Sequence, residues 1–122
     1  MQIRVYYEDT DTGGVVYHSN YLNFCERARS ELFFQKGLSP HNGDEFFVVK
    51  KIEANYMKPA LFGDVLEVQT KLISQKHTSL EMEQNIYRED EVLFTMNVTV
   101  VFLKNMKPAR IPKELMVIFN DN

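Results

Sequence analysis

Apolar and polar residues alternate from the first few positions. Ile3, Val5 and Tyr7 fall on one side of an extended segment and Gln2, Arg4 and Tyr6 on the other, the period of a half-buried strand. The alternation stops at Glu8-Asp9-Thr10-Asp11-Thr12-Gly13-Gly14, a run of polar and loop-forming residues. Beyond it Tyr21, Phe24, Cys25, Ala28 and Leu32 recur at helical spacing, with Glu26, Arg27, Arg29 and Ser30 between them. Ser19 or Asn20 can cap the start, and Gly37 with Pro40 closes the end, which predicts a helix over residues 19–36.

From Phe46 to Lys104 the pattern is that of strands. Phe46–Tyr56 is β-branched and aromatic at its ends and stops before Pro59. Gly63-Asp64 turns the chain into Val65–Lys76, where Leu66, Val68 and Leu72 share a face. His77-Thr78 leads into Ser79–Tyr87, with Leu80, Met82 and Ile86 inward against Glu81, Glu83 and Asn85. After the charged turn Arg88-Glu89-Asp90-Glu91, both alternating sets of Val92–Leu103 are largely apolar. That places this strand near the sheet centre or at a subunit contact. Pro112 opens a short helix, Pro112–Ile118. The order is strand, long helix, then four strands joined by short turns, so neighbours are antiparallel and the helix covers one sheet face. The class is α+β.

Composition narrows the function more than the fold. A length of 122 residues fits one domain, 1–122, and a net charge of −3 gives no reason to expect nucleic-acid binding. The single cysteine, Cys25, excludes an intrachain disulfide. With no long apolar run and no apolar leader at the start, a cytoplasmic location is expected. Cys25 sits on the apolar stripe of the helix, as a packing residue and not a nucleophile.

Chemistry concentrates between Tyr7 and Tyr21. Asp11 lies a few residues before the start of the only long helix, where unpaired N–H groups and a partial positive charge suit an oxyanion. Gly13 and Gly14 allow a tight turn and close approach of a ligand to the backbone. A carboxylate beside such a helix end can attack, or activate water against, a polarised carbonyl. The bland alternative is a loop pair, Asp9 and Asp11, that merely caps the helix. An EF-hand reading fails, because Gly13 occupies the fifth position and Asn20 the twelfth.

The motif Tyr6-Tyr7-Glu8-Asp9-Thr10-Asp11, followed by Gly14-Val15-Val16-Tyr17-His18, Tyr21 and Glu26-Arg27-Ala28-Arg29, resembles the 4-hydroxybenzoyl-CoA thioesterase family. The likeness is to its YbgC-type acyl-CoA thioesterase branch. It extends through Phe47-Val48-Val49, Tyr56-Met57-Lys58-Pro59-Ala60, Gly63-Asp64 and Met106-Lys107-Pro108, so it covers nearly the whole chain.

That resemblance implies a hot-dog fold, a five-stranded antiparallel sheet wrapped around one long helix, assembled as homodimers and often homotetramers. It implies an acyl-CoA substrate and no metal or other cofactor. Asp11 corresponds to the family's catalytic carboxylate, as nucleophile or as general base. The position of His18 is occupied by His or Tyr, whose N–H at the helix start polarises the thioester carbonyl, with Tyr17 beside it and Gly13-Gly14 shaping the loop. At Gln75-Lys76-His77-Thr78-Ser79 the family carries a basic run that binds nucleotide phosphates. Lys76 and His77 are the candidates here, with His77 standing where the family has Arg. Two rivals remain: a hydratase using Asp11 and His18 as an acid–base pair, and a module that docks an acyl-carrier protein.

Overall fold

Four long strands with one apolar face each require a cover, and a single helix supplies it. In the computed structural model, which describes residues 1–119, an antiparallel sheet curls around that helix. The elements are β1 (Gln2–Arg4), α1 (Asn20–Phe34), β2 (His41–Asn42), β3 (Glu45–Tyr56), β4 (Val65–Gln75), β5 (Ser79–Arg88), β6 (Glu91–Lys104) and β7 (Lys107–Pro108). The sheet order is β1-β4-β5-β6-β3-β2, with β7 paired to the end of β6. Among the described residues seven strands stand where five were expected. The two extra ones, β2 and β7, are two-residue additions to the five-strand frame.

The long strands lie within one residue of their predicted limits, and β6 is central, between β5 and β3. Its inward set of Phe94, Met96, Val98, Val100 and Phe102 is buried. Its outward set is less apolar than expected, because Thr95, Asn97 and Thr99 occupy the middle of that face. From β5, Leu80, Met82 and Ile86 point inward as predicted, joined by one amide, Gln84. Gln84 is fully buried yet fully paired. Its Nε2 donates to the Cys25 carbonyl and to Thr70 Oγ1, both at 2.9 Å, and its Oε1 accepts from Arg29 Nη1 at 2.9 Å. The amide therefore ties α1 to the sheet at one register.

Two local expectations need correction. Tyr7 does not continue β1 inward. The strand ends at Arg4, Val5 is fully buried, and Tyr7 enters a 3₁₀ turn, 77% exposed. Ser19 sits at the N-cap but its side chain makes no capping bond; Asn20 instead reaches back from its amide to the Asp9 carbonyl at 2.9 Å. The short C-terminal helix expected over Pro112–Ile118 is present one residue later, as the 3₁₀ helix Lys113–Phe119. Gly37 closes α1 as expected, at φ 71°. Its N–H donates to Phe34 O at 3.0 Å and that of Leu38 to Phe33 O at 2.9 Å, the pair of bonds that ends a helix in a left-handed residue.

Candidate active site

Between β1 and α1 the chain folds into a small hairpin. Asp9 forms its base. The Asp9 carboxylate accepts from the Tyr6 N–H at 2.9 Å, and its carbonyl accepts from the Tyr17 N–H at 2.9 Å. Thr10 then pairs with Val16, and the Asp11 N–H donates to the Val15 carbonyl at 2.9 Å. The tip is Asp11-Thr12-Gly13-Gly14, closed by Gly14 N–H to Asp11 O at 3.2 Å, with Gly14 at φ 81°. Asp9 is thus buried framework, and Asp11 is the exposed carboxylate at the tip.

One oxygen of Asp11 is held and the other is free. Oδ1 accepts from the Gly13 N–H at 2.8 Å, while Oδ2 has no partner among the described residues. A Cβ on residue 13 would stand 3.3 Å from that Oδ1, so the glycine leaves the carboxylate room. Beside the tip, Tyr7 and Phe62 stack with ring centroids 4.1 Å apart, and both line a shallow depression with Thr10, Asp11, Thr12 and Gly14.

The hairpin is sewn to a segment far along the chain. Val16 N–H donates to Ala60 O at 2.9 Å, Phe62 N–H to Gly14 O at 3.1 Å, and Val15 bridges Leu61. Arg88 braces that segment from β5, with Nη1 on Asp64 Oδ2 at 2.8 Å and Nη2 on Glu91 Oε1 at 2.8 Å. Glu91 also pairs with Lys58, and hydrogen bonds from Lys58 and then Arg88 hold its carboxyl below the usual glutamate range.

At the other end of the Val15-Val16 strand, Tyr17 and His18 lead into α1. The Tyr17 N–H is engaged by Asp9, whereas no acceptor pairs with the His18 N–H among the described residues. The His18 carbonyl accepts from the Tyr56 hydroxyl at 2.8 Å. The imidazole itself is exposed, with its ring 4.3 Å from that of Tyr17. His18 lines a second depression with Tyr21, Tyr56, Met57, Lys58 and Pro59. The structure therefore brings Asp11, Gly13 and Gly14 into one turn and puts His18 at the helix start. No hydrogen bond joins the Asp11 and His18 side chains among the described residues.

Lys76 and His77 lie elsewhere, exposed at the turn between β4 and β5. Nothing in the local sequence points to Arg110 as their neighbour. Its guanidinium nonetheless comes within 3.3 Å of His77 Nδ1, because Ile111 N–H docks on the His77 carbonyl at 2.8 Å. Cys25 is buried, and burial pushes its thiol up to about 12, out of the range of a nucleophile at neutral pH. A groove of about 550 Å³ opens between α1 and β3, lined by Arg29, Phe33, Phe47 and Ile52, and contains neither Asp11 nor His18. Among the described residues no cluster of three or more His, Cys, Asp or Glu could hold a metal ion, and no helix is long and apolar enough to cross a membrane.

With this geometry in place, the likenesses to known proteins are specific. The thioesterase superfamily pattern matches residues 13–95, which takes in the glycines of the turn and begins just after Asp11. The chain is 40% identical to acyl-CoA thioesterase YbgC of Helicobacter pylori, with 98% of each chain covered. It is 42% identical to acyl-CoA thioester hydrolase YbgC of Escherichia coli O6:H1, over 96% of this chain and 92% of that one. A solved thioesterase from Thermus thermophilus, complexed with coenzyme A and Zn, matches with a TM-score of 0.83 and 25% identity, over 99% of this chain and 91% of the other.

Proposed function

Since the chain belongs to the thioesterase superfamily, in its YbgC group of acyl-CoA thioester hydrolases, we propose that Asp11 is the carboxylate that drives hydrolysis. It acts as nucleophile or as general base to water. The observation that carries this reading is the turn itself. One Asp11 oxygen is fixed by the Gly13 N–H and the other faces solvent unpaired among the described residues, so the group is oriented before substrate arrives. The His18 N–H, unpaired among the described residues at the helix start, supplies the donor for charge developing on the thioester oxygen. Tyr17 contributes its position and not its N–H. The separate depressions of Asp11 and His18 weigh against the hydratase reading, which needs the two side chains to work as a pair.

The substrate reading follows from the relatives: an acyl-CoA, with an acyl-carrier protein as the alternative carrier. Lys76 and His77, now with Arg110, form the basic cluster offered to the nucleotide phosphates. The enzyme works as a homodimer or homotetramer in the cytoplasm, supported for assembly by the open side of β3. There β2 pairs only with Glu45 and Phe46, and Val49, Ile52 and Tyr56 are exposed.

Asp11→Asn tests the mechanism. An amide of the same shape keeps the turn but can neither attack nor take a proton. Thiol release from acyl-CoA is expected to fall by about 10²–10⁴-fold with the fold intact. Near-normal turnover in that variant would end the proposal.

A further inference from the structure

The residue that holds the carbonyl of His18 lies 38 positions away, at the end of β3, and has no part in the mechanism above. Tyr56 is half exposed, but its ring is gripped on two sides, 5.4 Å from Tyr21 and 5.0 Å from Phe94, edge-on to both. Those contacts leave the phenol oxygen aimed at the chain just before α1, where it donates to His18 O at 2.8 Å. Burial raises the phenol above its ordinary value, which keeps it a donor across the neutral range.

The two peptide planes that flank His18 are each held once. The preceding plane is fixed through Tyr17 O, which accepts from the Asn20 N–H at 2.9 Å; the following plane is fixed through His18 O by Tyr56. Ser19, at the N-cap, makes no side-chain capping bond, so the helix start lacks the usual device for setting these planes. Tyr56 sets the second plane from outside the helix. The end of β3 is itself anchored, since Met57 N–H and Lys58 N–H both donate to the Leu93 carbonyl, at 2.8 and 3.1 Å.

We infer that Tyr56 is a positioning residue for the reaction: its hydroxyl fixes the plane that follows His18, and so limits the turn about the His18 Cα by which the preceding plane, which carries the N–H that meets the thioester oxygen, could swing. This rests on the reading of His18 as the donor at the helix start. A donor aimed at the developing charge contributes more in the transition state than in the ground state, so the effect of Tyr56 belongs to kcat and not to KM. Phenylalanine at this position keeps both ring contacts and removes only the hydrogen bond.

The test compares Tyr56→Phe with Asp11→Asn and the wild type, using thiol release from an acyl-CoA, thermal unfolding, and amide hydrogen exchange. Tyr56→Phe is expected to lower kcat about tenfold, the scale of one such hydrogen bond, with KM unchanged. Exchange at Asn20, whose N–H donates to Tyr17 O, should quicken while the interior of α1 stays as protected as before. An unchanged kcat overturns the inference. So does a loss spread equally over kcat, KM and the unfolding transition, or a chain that no longer folds, because each would assign the hydroxyl to stability alone. Asp11→Asn separates the two ideas. If that variant is inactive and Tyr56→Phe is normal, only the role of Tyr56 fails; if Asp11→Asn is active, the mechanism fails first.

Discussion

Gly13 is defined by the atom it lacks. Its N–H fixes one oxygen of Asp11, and a Cβ would sit 3.3 Å from that oxygen, close enough to turn the carboxylate aside. Gly13→Ala is therefore expected to lower kcat about tenfold with little change in unfolding temperature, as a misplaced catalytic group does. Gly14 differs: nothing lies near its absent Cβ, but its φ of 81° strains any other residue, so a substitution there should cost about 1 kcal/mol of stability, read from chemical denaturation. The tight turn was legible in the sequence, because Asp11, Gly13 and Gly14 are chain neighbours and their geometry is local; the separate parts of the two glycines were not. Tyr56 and Arg110 were not legible as partners of His18 and His77. Nothing local marks a residue whose contact is made by strand pairing. Asp9 shows the same limit from the other side: in sequence it matches Asp11, and only burial separates framework from tip.

At the scale of elements, alternation was enough to bound the long strands, since each has one face in the core. It erred where a segment's partner is not the sheet. Tyr7 alternates with the strand before it but turns out to stack on Phe62. Gln84 falls on an inward face, where a polar residue looks out of place until its bonds to Cys25 O, Thr70 and Arg29 are seen. The β4–β5 turn carries the substrate prediction. Lys76 is exposed and distant in role from the chemistry, so Lys76→Ala should raise KM for an acyl-CoA about threefold to tenfold and leave kcat unchanged. A short thioester without the nucleotide should be hydrolysed at the wild-type rate. Equal losses on both substrates, or none on either, would return the turn to a purely structural role.

For the whole molecule, one helix covers one face of the sheet, and among the described residues nothing pairs with the edge of β3 beyond Phe46, along which apolar residues are exposed. Static light scattering at micromolar concentration should give a multiple of the 14.3 kDa chain mass; the mass of one chain would refute the assembly. The stitching of the hairpin to residues 60–64 bears on how the enzyme comes into being. The hairpin that carries Asp11 is docked through Ala60 and Phe62, and Val5 exchanges bonds with Asp64 O and Gly63 N–H, at 2.9 Å each. A ribosome delivers Asp11 early and the segment that docks its hairpin much later. Until that later stretch emerges, the nascent chain holds the local bonds of the hairpin without the segment that docks it, and a loop of that length closes slowly. A fragment ending before Pro59 would carry every residue from Tyr7 to His18 and still be catalytically silent.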